Sequence, residues 1–248
     1  MAAAHQSVHD ETLQREVSTR SSRARRIRAW EVVHACDFAR DIADVVEAQI
    51  SAGMRPYLLT VGADVTAKKS LLQTWQDVRR WKKAFDESGA HTTPQLIHAH
   101  SFSSGMAAAR MGACLVYDLR QPIEERLATT SANPPGTWLS SSYRTAEQFV
   151  LSKAAAVVVH SPALREDCIA RGVSPQSVFV IPDLFAGSVA DSTAEVISES
   201  ERAHIREANS PQRIAEKYDE VYRYAYERKR KGGSADSSGS LIPIQANF

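Results

Sequence analysis

Two stretches built to one plan decide what this chain can fold into. In LIHAHSFSSGMAAARMGACLVYDLRQ (96–121) an apolar run ends in two histidines, a helix of small residues follows, and a second apolar run ends in Asp118. TAEQFVLSKAAAVVVHSPALREDCIARGVSPQSVFVIPD (145–183) repeats the plan as helix, strand ending in His160, capped helix and strand. Short apolar runs alternating with helical segments mean βα units and a mainly parallel sheet.

The same alternation extends upstream. Strands are predicted near 30–35, 57–61, 95–99, 114–118, 156–160 and 178–181. In FARDIADVVEAQISAG the spacing of Ile42, Val45, Val46 and Ile50 predicts one apolar helical face, with Gly53 as the stop. Residues 67–88 carry Leu71, Leu72, Trp75, Val78 and Trp81 at helical spacing. The expected fold is α/β, a single Rossmann-like, doubly wound and mainly parallel sheet over residues 29–183. The turn-rich run TTSANPPGTWLSSSY reads as a mobile loop over the mouth of that sheet.

Outside this body the chain changes character. Residues 1–28 are polar and Arg-rich and read as a disordered basic arm; 184–210 are poor in apolar residues and read as a connector. A helix is then predicted over 211–231, with Ser210 as cap, Pro211 in the first turn and Gly232 as stop. Its stripe of Ile214, Tyr218, Val221, Tyr222 and Ala225 is expected to pack on the domain, and residues 232–248 to be flexible.

Composition excludes several classes. A net charge of +1 gives the molecule no long-range pull on nucleic acid, so none is expected as a partner. The three cysteines are widely spaced and odd in number, which argues for reduced thiols in the cytoplasm rather than a disulfide framework. No run reaches the ~18 apolar residues of a membrane span, and the first residues lack the apolar segment of a secretory signal.

In parallel α/β sheets ligands bind beyond the carboxyl ends of the strands. His34, His98, His100, Asp118 and His160 all fall there. His98 and His100, two apart, share a face of their strand. The helix after them opens with Ser103, Ser104 and Gly105, whose N–H groups could hold an anion such as a phosphate. No carboxylate or cysteine lies at ligand spacing from the histidines, so no metal is expected. No G-x-G-x-x-G follows a strand, which puts a stand-alone nucleotide binder last among the functions considered.

The run SKAAAVVVHSPALREDCIARGVSPQSVFVIPD resembles the acceptor-side, N-terminal domain of retaining glycosyltransferases of the two-domain GT-B type, family 4. The resemblance covers about residues 30–183. It implies one half of a GT-B fold, no cofactor, and His100 as the counterpart of the active-site histidine. It makes Glu147 a structural match, while the strand ends and the helix start supply His34, His98, Ser103, Ser104, Gly105, Asp118 and His160 as the expected substrate-binding group. Three departures stand against the family pattern. The first strand runs into HACDFARD, with no glycine from Ala29 to Ala52, where the family has a Gly-Gly loop. The last strand closes in Ile181-Pro182-Asp183-Leu184 without the Asn-Gly turn. The donor domain's basic pair and its E-x-x-x-x-x-x-x-E element have no counterpart, and the connector cannot bury a second core.

These features imply the acceptor-side half of a nucleotide-sugar-dependent transfer system, with a donor-domain protein or a second copy as partner. The alternative is a non-catalytic scaffold or regulator descended from such an enzyme. A cytoplasmic chain is expected, with the basic arm offering contact at the inner membrane face. The helix at 211–231 resembles the last helix of these enzymes, which returns to pack on the first domain.

Overall fold

In the computed structural model the described residues are 28–37, 42–61, 71–89, 96–123, 125, 137–181 and 210–232. The basic arm through residue 27, most of the loop after Leu119, the close at Pro182-Asp183, the connector 184–209 and the tail from 233 lie outside them.

Six strands form one sheet: β1 (Glu31–Cys36), β2 (Arg55–Thr60), β3 (Leu96–Ala99), β4 (Leu115–Leu119), β5 (Ala156–Val159) and β6 (Val178–Val180). Their order is β2-β1-β3-β4-β5-β6 and every pairing is parallel. The helices are α1 (Ala43–Ser51), α2 (Leu71–Gly89), α3 (Phe102–Arg110), α4 (Thr137–Lys153), α5 (Pro162–Ala170) and α6 (Pro211–Gly232). The chain steps from β1 outward to β2, then crosses back to lay β3 on the other side of β1. That reversal puts the topological switch point between β1 and β3.

Both faces of the sheet are covered, which explains why the inner strands read as continuous apolar runs. Val33, Ala35, Ile97, Tyr117, Val157 and Val159 face one core with α2, α3 and α4. Val32, Leu96, Val116, Ala156 and Val158 face the other, which is closed by α1 and α6. Helix α6 buries Ile214, Tyr218, Val221, Tyr222 and Ala225 there. A side-chain clamp fixes it to the start of β1: buried Asp219 accepts from Trp30 Nε1 at 2.8 Å and from the Arg28 backbone at 3.2 Å. The Arg28 guanidinium lies over the rings of Trp30 and Tyr226, at 4.3 and 4.9 Å from their centroids.

The expected apolar face of α1 is rotated in the structure. Ile42 and Val45 are buried, but Ile50 is 58% exposed and Gln49 is fully buried in its place. Gln49 sits at i+7 from Ile42, on the same stripe, and its amide has two buried partners that hold it inward. Gly53 ends the helix at φ 83°, a conformation that side-chain-bearing residues seldom adopt.

Helix α3 lies very close to the sheet and to α4. A β-carbon on Gly105 would fall 2.9 Å from the Tyr117 ring and 3.1 Å from Val150. Gly105→Val is therefore expected to destabilise the domain by about 1–3 kcal/mol, measured as the loss of denaturation midpoint at unchanged slope. Burying a large apolar side chain is worth about 1.5–3 kcal/mol, and α6 supplies several against a whole-domain margin of about 5–15 kcal/mol. A chain ending at residue 209 is accordingly expected to melt much lower or to aggregate. Unchanged thermal stability and solubility in that truncation would show α6 to be dispensable.

Candidate functional site

At the carboxyl ends of β1, β3, β4 and β5, the side chains that point toward α1 and α6 change from apolar to polar. The period of two along each strand puts His34, His98, His100, Asp118 and His160 on this one face. Parallel register sets them side by side: His34 pairs with His98, and the pairing of Ala99 with Tyr117 brings His100 level with Asp118. All five expected positions therefore meet at the switch point.

They form a continuous hydrogen-bonded chain. His160 Nδ1 donates to the Ile181 carbonyl at 2.8 Å, and its Nε2 lies 2.6 Å from Asp118 Oδ1. His100 Nδ1 donates to Asp118 Oδ2 at 2.7 Å. His100 Nε2 meets His34 Nδ1 at 2.9 Å, and His34 Nε2 lies 2.8 Å from Gln49 Oε1. Gln49 Nε2 donates to the Tyr222 hydroxyl at 2.9 Å, which in turn lies 2.9 Å from His98 Nδ1. The chain ends at His98 Nε2, a buried atom with no hydrogen-bond partner among the described residues.

Electrostatics follow from this geometry. Burial alone would raise the Asp118 carboxyl, but hydrogen bonds from His100 and His160 outweigh it and hold the group well below the usual carboxylate range. Both nitrogens of His160 lie against oxygens, Nδ1 on the Ile181 carbonyl and Nε2 on the Asp118 carboxylate. Burial, helped by the charge of His100, drives His34 down to about 3 and His98 well below its ordinary value, so both are neutral at pH 7. Burial likewise raises the Tyr222 hydroxyl well above 10. The result is one buried carboxylate held between two imidazole rings, with the Arg120 guanidinium at 3.8 Å, and backed by the neutral rings of His34 and His98.

Depth sorts the residues. His34 and His98 have no exposed surface, Asp118 is buried, the His100 ring is 4% exposed and the His160 ring 13%. Neither nitrogen of His100 is free. Helix α3 starts at Phe102, one residue earlier than expected, which puts Ser104 and Gly105 past the free end of its first turn. Ser101 is its N-cap, bonded reciprocally with Ser104, and Ser104 Oγ also donates to the Ala35 carbonyl at 3.2 Å. The Ser104 amide is taken by Ser101 Oγ and the Gly105 amide by the Ser101 carbonyl. Ser103 stays half-buried, while Ser104 and Gly105 are buried in the cap and in packing.

Glu147 stands apart from this cluster. Its carboxylate accepts from the Ile123 amide at 3.1 Å and from Arg171 at 2.8 Å, tying α4 to the turn after α5. Sequence reasoning missed Gln49, Ser101 and Tyr222. A polar Gln on an apolar stripe was the signal for the first. Tyr222 sat on the predicted stripe of α6, where its hydroxyl gave no separate sign.

A search of curated proteins found no match. Among solved structures the fold is similar to a chain described as sucrose-phosphate synthase from Thermosynechococcus elongatus, at 16% identity and a TM-score of 0.49. That similarity covers 77% of this chain and 97% of the other. The sequence profile of the glycosyl transferase 4-like domain matches residues 11–183, well over half of the chain. The chain belongs to the glycosyl transferase 4-like domain family.

Proposed function

We propose that this chain is the acceptor-side half of a nucleotide-sugar-dependent glycosyl transfer system in polysaccharide or glycolipid synthesis, working with a separate donor-binding protein or a second copy. The observation that carries this reading is the convergence of strand-end polar groups at the β1/β3 switch point of a glycosyl transferase 4-like domain. Sugar transfer needs a neutralised diphosphate leaving group and an anomeric carbon held against the acceptor hydroxyl. In this reading the matched residues 11–183 form the acceptor side, and the donor-binding partner neutralises the diphosphate. The three cysteines include none in a disulfide, which suits a reducing cytoplasm, with the basic arm meeting the inner membrane face. Among the described residues no helix is long and apolar enough to cross a membrane.

A second reading, a non-catalytic scaffold or regulator, is favoured by one observation. Both ring nitrogens of His100 are engaged inside the protein, leaving no polar atom of that ring for a sugar.

The test is to offer uridine- and guanosine-diphosphate sugars to the rigorously pure chain and follow release of nucleoside diphosphate. Background rates are expected, because stabilisation of the leaving group is usually a dominant catalytic term. Robust transfer that disappears in His100→Ala would overturn the need for a partner. If a co-purifying donor-domain protein restores transfer with the wild-type chain but not with His100→Ala, the acceptor-side reading stands. Restoration indifferent to His100→Ala would establish the scaffold instead.

A further inference from the structure

We propose that His34, His98 and His100 form a binding site for a divalent first-row transition-metal ion, zinc foremost, with one nitrogen of each ring as ligand. One nitrogen from each of these rings lies within 4.8 Å of one nitrogen from each of the others. Spacing along the chain argued against a metal, because the third ligand comes from a neighbouring strand: His34 on β1 stands in register with His98 on β3.

The outward nitrogens carry the argument. His100 Nδ1 faces Asp118 at 2.7 Å, His34 Nε2 faces Gln49 Oε1 at 2.8 Å, and His98 Nδ1 faces the Tyr222 hydroxyl at 2.9 Å. If each ring donates outward, the lone pairs of His34 Nδ1, His98 Nε2 and His100 Nε2 are left for the interior. The Tyr222 oxygen has two lone pairs, enough to accept from both His98 and Gln49. A single proton can bridge His34 and His100, whose inner nitrogens are 2.9 Å apart. It leaves His98 Nε2 without a partner, as found. A metal ion in place of that proton satisfies all three rings at once.

This is the arrangement metal-binding histidines require. A ligating ring almost always donates its other N–H to a carboxylate, carbonyl or hydroxyl, which fixes its tautomer and orientation. Zinc–nitrogen bonds of ~2.0–2.1 Å in a tetrahedral site set ligand nitrogens ~3.3 Å apart. The separations in the trio, from 2.9 Å between His34 Nδ1 and His100 Nε2 up to at most 4.8 Å, bracket that spacing. Three imidazoles suit zinc, copper or nickel; magnesium and calcium demand oxygen ligands. The Asp118 carboxylate, one ring away, supplies negative charge to a buried cation. Three protein ligands leave a fourth position open. Since the ligands come from β1 and β3, and their outer partners from α1, β4 and α6, occupancy would lock these elements together.

The experiment uses the full chain, stripped with a chelator and titrated with Zn²⁺ by calorimetry, then with Co²⁺ by visible absorption. Expected are one ion per chain, the strong d–d bands of tetrahedral cobalt and a raised melting temperature. His98→Ala should weaken binding at least 100-fold, and Tyr222→Phe about 10–100-fold, as loss of a partner beyond the ligand typically does. A double variant, His5→Ala with His9→Ala, should bind like wild type, which excludes the arm. Absence of stoichiometric binding, or an affinity unmoved by His98→Ala, would overturn the site. Should His98→Ala fail to fold, X-ray absorption on the zinc-loaded wild-type chain decides: three imidazole ligands uphold the proposal, and fewer, or sulfur in their place, reject it. This inference does not rest on the glycosyl transfer reading. An inactive chain can bind zinc, and a chain that ignores zinc can still act in transfer.

Discussion

On the face of the sheet that carries Leu96, Val116, Ala156 and Val158, α1 and α6 are the described helices that stand between these side chains and water. A parallel sheet tolerates no bare face, because its strands are apolar on both sides. Helix α1, of nine residues, covers β2 and the flank near β1, while α6 reaches across to β4 and β5. The last of the described helices is thus part of the domain core. His34, His98 and Asp118 at the switch point are then enclosed, with His100 and His160 nearer the surface.

Enclosure sets the chemistry of the polar cluster. A carboxylate as buried as Asp118 survives ionised because two histidines donate to it. The same histidines must find partners for their other nitrogens, which pulls in His34, the Ile181 carbonyl and, one step further, Gln49 and Tyr222. Each partner comes from a different element, so the cluster fixes strand register and helix rotation together. Gln49 shows this directly: its amide holds α1 at a rotation that leaves Ile50 in water.

Much of this was legible in the sequence. Strand positions were readable because buried parallel strands are short, continuous apolar runs, and β3 to β6 fall within about one residue of where those runs lie. The strand-end positions of His34, His98, His100, Asp118 and His160 followed from the same runs. What could not be read was depth. Periodicity tells which face a residue takes but not how far the facing helices reach over it, so His34 and His98 read as crevice residues although they are buried, with Gln49 of α1 against His34 and Tyr218 and Tyr222 of α6 against His98. The start of α3 was also misplaced: in a row of serines, only the backbone conformation identifies Ser101 as the cap. Gln49 and Tyr222 act through contacts 173 residues apart in the chain, beyond any local pattern.

The bond between Trp30 and Asp219 joins residues 189 positions apart. On a ribosome adding about 5–20 residues per second, roughly 10–40 s separate the appearance of these two side chains. For that interval β1, β3, β4 and β5 can pair, yet one side of the nascent sheet has no final cover. Non-local closure of this kind slows folding, since chain entropy is lost before the closing contacts form. The apolar stripe of α6 is therefore the last piece the growing domain waits for, and until it emerges the half-roofed sheet is a natural client for a chaperone.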